Sequence, residues 1–200
     1  WRLPQGGRTS KGKAVVNILP IPTGVSIAAI MPVDIPEEEW ENVQIIFATS
    51  AGDVRRNALS DFTNVRANGK IAMDLPENVE LVNARIATQD DDVMLVTKSG
   101  RAIRFSTNAV RVFKGRKSTG VRGVRLTGDD CVVSMSILRH FEASSDERAA
   151  YLKMRRAVAG MVDDEGAGTE DEEVSANATI SPERYAEMSA AENLILTISS

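Results

Sequence analysis

The stretch Val43-Gln44-Ile45-Ile46-Phe47-Ala48-Thr49-Ser50-Ala51-Gly52-Asp53-Val54-Arg55-Arg56 decides the fold, because it returns as Val93-Met94-Leu95-Val96-Thr97-Lys98-Ser99-Gly100-Arg101-Ala102-Ile103-Arg104-Phe105. Gly52 answers to Gly100 and Arg56 to Arg104, a shift of 48 residues in both cases. Each copy is an apolar run, a polar turn ending in glycine, and a second run containing arginine, which is the pattern of a β-hairpin. The glycines are expected to supply positive φ in the turns. A second motif recurs as Lys11-Gly12-Lys13-Ala14-Val15-Val16-Asn17-Ile18, Asn68-Gly69-Lys70-Ile71-Ala72-Met73-Asp74-Leu75 and Thr119-Gly120-Val121-Arg122-Gly123-Val124-Arg125-Leu126. Another apolar stretch follows each copy, at 25–33, 81–86 and 132–138. One unit therefore holds about four strands in roughly 50 residues, the arithmetic of a propeller-like blade.

The expected fold class is all-β, with four-stranded propeller-like blades forming part of a ring. The expected organisation is a tail of a preceding blade and a connection at 1–42, complete blades at 43–92 and 93–138, an insertion at 139–193, and the first strand of a next blade at 194–200. Both ends of such a piece leave strand edges that a closed ring would cover. The insertion breaks the period. Ser144-Ser145-Asp146-Glu147 forms a capping box ahead of apolar residues at helical spacing, so a helix is expected from 148 to 161. Ser181-Pro182-Glu183 opens a second helix running to about Glu192. Between them, residues 163–173 hold seven acids among Gly and Ala. That stretch has too little apolar area to offset its ordering entropy, and is expected to be a mobile loop.

Composition narrows the chemistry. The chain is 42% hydrophobic and 26% charged, ordinary for a globular protein. Its single cysteine, Cys131, excludes a disulfide framework, and its single histidine, His140, leaves too few ligands for a zinc site or a Cys/His pair. No apolar run reaches the roughly 18 residues a membrane helix needs, and the start, Trp1-Arg2-Leu3-Pro4, carries no signal segment. The chain is expected to be cytoplasmic, without a membrane partner, and cut from something longer. Asp90-Asp91-Asp92, Glu37-Glu38-Glu39 and Asp129-Asp130 read as solvated turns, because adjacent acids point to alternate sides. The run from Gly6 to Gly12 lacks the Gly-Lys-Ser/Thr of a phosphate loop and any helix signal behind it. Trp1, Trp40, Tyr151 and Tyr185 are too scattered for a base-stacking platform.

Charge supplies the positive signal. Residues 1–141 carry a net +4 and residues 142–200 a net −8. Within 98–125 there are nine basic side chains, Lys98, Arg101, Arg104, Arg111, Lys114, Arg116, Lys117, Arg122 and Arg125, and no acid. A bulge at Gly123 would put Arg122 and Arg125 on the outer side together. With Arg101, Arg104, Lys114, Arg116 and Lys117 they would form a cationic rim, extended one unit earlier by Arg55, Arg56, Arg66 and Lys70. Lone surface cations mostly solvate their element, but an acid-free band of this density is an electrostatic footprint for nucleic acid. Six phosphate contacts on duplex DNA would give log affinity a slope of about −5 against log salt. A propeller that docks acidic protein partners is the other reading; its salt dependence would be shallower, and DNA would not compete.

The repeated segments Thr119 to Leu126, Gly12 to Pro20 and Val93 to Gly100 are similar to the blades of the DNA gyrase A C-terminal domain family, over residues 1–138 and 194–200. The resemblance implies a six-bladed β-pinwheel with strands exchanged between blades, which wraps double-stranded DNA on its basic perimeter. It implies that the parent is an ATP-dependent type II topoisomerase introducing negative supercoils, with gyrase B completing an A2B2 holoenzyme near the nucleoid. ATP and Mg2+ would then be bound elsewhere, leaving this segment no cofactor and no catalytic residue. The family's box Gln-Arg-Arg-Gly-Gly-Lys-Gly has no match at Gln5 to Gly12, so its wrapping role is not carried over. The related C-terminal domain of the topoisomerase IV protein that corresponds to gyrase A is the near alternative.

Overall fold

The apolar run after Val43 becomes β1 (Gln44–Thr49), with all six residues buried. Gly52, at φ +86°, turns the chain into β2 (Asp53–Ala58). The computed structural model, which describes residues 5–19, 21–22, 24–66, 69–115, 117–158 and 179–196, continues with β3 (Leu81–Ala87), β4 (Asp91–Thr97), β5 (Ala102–Ser106), β6 (Val121–Arg122) and β7 (Val132–Arg139). One sheet has the order β3-β1-β2-β6 and the other β5-β4-β7. The two hairpins share one register: Ile46 faces Arg56 in the first, and Met94 faces Arg104 in the second.

Sheets and sequence units do not coincide. Residues 43–92 supply three strands of the first sheet, and the fourth, β6, comes from the following unit, with Val54 opposite Val121 and Asp53 opposite Arg122. Two glycines permit this. Gly120 sits at φ +114°, where an added Cβ would lie 2.4 Å from the Val54 carbonyl oxygen. At Gly123 a Cβ would lie 2.5 Å from Val54 Cγ2. The Gly123 and Val124 amides both donate to the Gly52 carbonyl, at 2.8 and 3.3 Å, and end the short strand.

Period-two alternation distributes the core over both faces of β1. Ile46, Ala48 and Val54 pack with Val93, Leu95, Val110 and Val132. Ile45 and Phe47 pack on the opposite side with Met73, Met31 and Phe62.

Two residues of the proposed rim lie in the interior. Arg55 is fully buried and Arg56 is 5% exposed, so neither can meet a polyanion. Their guanidinium groups are consumed by backbone carbonyls of the next unit. Arg55 donates from Nη1 to the carbonyl and hydroxyl of Ser118, both at 2.6 Å, from Nη2 to the Gly115 carbonyl, and from Nε to Asn57 Oδ1 at 2.8 Å. Arg56 Nη1 donates to the carbonyls of Thr107 at 2.8 Å and Val110 at 3.2 Å, and Nη2 to Gln44 Oε1 at 3.2 Å. Its Nε is buried without a partner, so Arg55 is the better satisfied of the pair. Burial pushes both guanidinium groups below the ordinary arginine range.

The expected strands ahead of β1 do not form. Described residues 5–43 contain only two single 3-10 turns, Val15–Asn17 and Glu37–Glu39. Val16, Val25 and Ile30 are 57%, 59% and 73% exposed. Strands need an edge to pair with, and these segments pair with neither β3 nor β6, the edge strands of the first sheet. In the described part of the next copy, 69–75, the only pairing is likewise one bridge, Arg66 with Gly69. Leu194, Ile195 and Leu196 are exposed and form no strand.

In the unit Arg139–Ser200 the reciprocal capping box forms: the Ser144 amide donates to Glu147 Oε2 at 2.9 Å and the Glu147 amide to Ser144 Oγ at 3.1 Å, opening α1 (Ser145–Val158). Ser181 Oγ caps α2 (Pro182–Ala191) by accepting from the Arg184 amide. Arg184 binds Glu147 at 2.9 Å and Glu187 at 3.0 Å, and lies 4.9 Å from the Phe141 ring centroid. Tyr151 stacks with Tyr185 at 5.1 Å. The acidic run 163–173 and the expected helix end at 159–161 lie outside the described residues.

Replacing Arg55 by methionine removes its four hydrogen bonds to Asn57, Gly115 and Ser118 and should cost about 3–4 kcal/mol in urea unfolding, whereas Arg122→Met should change stability by less than about 0.5 kcal/mol. Gly120→Ala combines left-handed strain with a backbone clash and should cost about 3 kcal/mol. Gly100→Ala, at φ +84° in open space, should cost about 1 kcal/mol.

Candidate nucleic-acid interface

With Arg55 and Arg56 withdrawn, the basic side chains fall into two surface groups, each built by backbone hydrogen bonds. The first lies at the turn end of the sheets. The Gly123 amide is held by the Gly52 carbonyl in the β1–β2 turn, the Ser50 carbonyl of that turn holds the Val132 amide at 3.0 Å, and the Cys131 carbonyl holds the Lys98 amide at 2.8 Å. This run ties the β1–β2 turn, the β6 terminus and the β4–β5 turn together. It brings Lys98, Arg101, Arg122 and Arg125 to one end, all exposed. Arg122 sits on β6 itself, opposite Asp53.

The second group surrounds the loop that Arg55 grips. Lys114 and Lys117, both exposed, flank the Gly115 and Ser118 carbonyls bound by Arg55. The Asp74 amide reaches the same Ser118 carbonyl at 3.4 Å, which brings the 70–74 segment alongside. On that segment Lys70 is half-buried and donates Nζ to the Thr63 carbonyl at 3.0 Å; Arg66, ahead of it, is exposed. Arg116 lies outside the described residues.

Two of the acids near these groups, Asp130 and Asp92, are occupied. Asp130 Oδ1 accepts from the Ser99 and Cys131 amides and Oδ2 from Ser99 Oγ at 2.6 Å; these bonds hold its carboxyl down to about 2, so at neutral pH it is a turn clamp. Arg104 lies 3.5 Å from Asp92. Among the described residues, Lys98, Arg101, Lys114, Lys117, Arg122 and Arg125 enter no ion pair. They are available to an external anion.

Two further cations are exposed. Arg111 is exposed with its guanidinium 4.2 Å from the Phe113 ring centroid, a ring that Arg55 also approaches, at 4.7 Å. Arg85 projects from β3 and is exposed. The alternation of Ala84 and Ile86 marks position 85 as the other face, a signal present in the sequence.

Among the described residues no cluster of three or more His, Cys, Asp or Glu able to hold a metal is found, and none of their helices is long and apolar enough to cross a membrane. A cleft of about 460 Å³ is lined by Gln5, Gly6, Ser10, Lys11, Gly12 and Lys13. Only a single 3-10 turn follows it, so no helix N-terminus aims at it as a phosphate loop requires.

Comparison with known proteins bears on the family and the fold. The family model described as DNA gyrase C-terminal domain, beta-propeller, matches residues 44–88 and 91–139. The DNA gyrase A protein of Granulibacter bethesdensis is 46% identical over 99% of this chain and 22% of its own length. Its Rickettsia bellii counterpart is 39% identical with the same two coverages. The chain thus spans 22% of the length of these curated relatives. A solved C-terminal domain of DNA topoisomerase IV superposes with a TM-score of 0.56 at 25% identity, over 68% of this chain and 40% of that one. A solved DNA gyrase A C-terminal domain superposes equally well at 22% identity, over 64% and 41%, a likeness of fold. The chain belongs to the DNA gyrase C-terminal domain family, and a strand lent from one sequence unit to the sheet of the unit before is how that propeller-like fold is assembled here.

Proposed function

We propose that the two exposed cationic groups bind the phosphate backbone of duplex DNA, and that the domain wraps DNA for a longer gyrase A protein. The observation that carries the reading is the turn-end group, in which four cations without a carboxylate partner are fixed by hydrogen bonds between neighbouring sheets. Backbone contacts position DNA without reading its sequence, and none of these side chains sits on an element shaped to enter a groove. Bending 20–30 base pairs through 40–90° costs about 1–6 kcal/mol, which a rigid array of phosphate contacts offsets. The parent enzyme would introduce negative supercoils at the expense of ATP, as an A2B2 assembly with gyrase B in the cytoplasm at the nucleoid. ATP and Mg2+ would be held in its other parts, with no cofactor on this segment. The similarity to the topoisomerase IV domain favours one second reading, a DNA-holding domain of a topoisomerase that does not supercoil.

The test uses the intact gyrase A protein reconstituted with gyrase B. Charge reversal of Lys98, Arg122 and Arg125 together should make the salt slope of duplex binding shallower by about 3 units and abolish supercoiling of relaxed plasmid; an unaltered slope and unaltered supercoiling would reject the assignment. Affinity should also climb with duplex length from about 20 to over 100 base pairs. A protein-docking propeller would give a flat length dependence, and topoisomerase IV character would leave relaxation without supercoiling.

A further inference from the structure

One aromatic ring connects the outside of the 107–118 segment with the interior it covers on β2. Phe113 is 7% exposed, and two guanidinium groups approach its ring, that of the buried Arg55 at 4.7 Å and that of the exposed Arg111 at 4.2 Å. The backbone of Phe113 is part of the joint with β2: its amide donates to the Arg56 carbonyl at 2.8 Å, and its carbonyl accepts from Asn57 Nδ2 at 2.8 Å. Two like charges on one ring lie closer than the Debye length of about 10 Å at 0.1 M salt, and burial of one of them reduces the screening further. Burial lowers the Arg55 guanidinium most, Asp61 offsets part of that, and the Arg111 charge lowers it again. Asp61 is itself engaged by Asn57 Nδ2 at 3.1 Å. Lys114 and Lys117, both exposed, follow Arg111 in the acid-free run 98–125. Seating this segment on β2 therefore sets its cations against Arg55, a repulsion that ends when the segment lifts.

We propose that Arg111 is a phosphate contact whose occupation tightens the seating of the 107–118 segment on β2, so that polyanion binding outside and closure of the joint inside stabilise each other. Under the DNA reading the polyanion is the duplex backbone, and the inference rests on that reading only for the source of the phosphates. A phosphate beside Arg111 cancels the charge that Arg55 meets across the ring. Closed and open joints differ in that repulsion, so the closed joint binds the anion more tightly, and linkage makes the effect reciprocal. Stacking on Phe113 restrains the Arg111 guanidinium, and among the described residues none takes a hydrogen bond from it. Its donors are left to an external anion.

Hydrogen exchange of the Phe113 amide in the full-length protein tests it, with α1 as the internal standard. At low salt a duplex of about 20 base pairs should slow that exchange about fivefold and leave α1 unchanged. Arg111→Gln should reduce the slowing to less than about twofold, whereas Arg111→Lys, which keeps the charge, should retain it. A duplex that binds without slowing the amide would overturn the proposal, as would slowing that survives intact in Arg111→Gln. Exchange about tenfold faster in Arg111→Gln, with or without DNA, would make Arg111 a packing residue of the ring and overturn it too. Sodium tripolyphosphate, a polyanion without a helix, separates the two readings. Should the duplex fail to bind while tripolyphosphate slows the amide, the DNA reading fails and the coupling stands. Should reversal of Lys98, Arg122 and Arg125 weaken DNA binding while neither probe slows the amide, the coupling alone fails.

Discussion

The joint between the two sheets depends on the outer edge of β2 being satisfied by the following unit. A strand edge carries a row of unpaired amides and carbonyls, and burying it dry would cost roughly 1–3 kcal/mol for each orphaned group. β6 pairs only two residues of that edge, too few to complete it. The loop that precedes β6 does the rest: its carbonyls cannot reach strand partners, and Arg55 and Arg56 extend donors to them instead. The arginines act as an extension of the backbone ladder, which is why their charge is tolerated in a buried place.

From that constraint follows the division of the basic residues into two populations. A guanidinium buried and bonded to carbonyls is out of reach of phosphate, and its loss acts on the fold. A lysine or arginine on a turn, such as Lys98 or Arg122, contributes little to folding and keeps its full charge for a ligand. The two populations are coupled, because the loop held by Arg55 carries Lys114 and Lys117, and the strand end held by Gly52 carries Arg122 and Arg125. Interior donors thus set the spacing of exterior cations, and a rigid spacing lets many weak phosphate contacts act together.

What could be read from the sequence was whatever repeats locally. Gly52 and Gly100 marked both hairpin turns, the shift of 48 matched the observed registers, and the Ser144–Glu147 capping box announced α1. What could not be read was non-local. Arg55 and Arg104 look alike in a composition count, and only the presence of residues 107–118 over β2 and not over β5 separates them. The strands expected at 11–18 and 25–33 carry the right residues, but strand formation is a property of pairs, and those segments have no partner among the described residues. Apolar pattern states willingness to pair; topology decides whether pairing occurs.

Repeats with one backbone register raise a problem of order, since each edge could in principle accept the wrong neighbour or slip by two residues. Apolar contact alone discriminates poorly between such alternatives. A guanidinium fork demands carbonyls at fixed places and leaves a buried charge unpaired when they are missing, so mispairing is penalised by several kcal/mol. The change from Arg55 to Ile103 makes the two edges chemically unlike: a segment shaped to feed carbonyls to Arg55 would set them against an alkyl chain on β5, and one shaped for Ile103 would bury Arg55 without partners. Unequal joints of this kind let tandem units with one backbone register assemble in a single order.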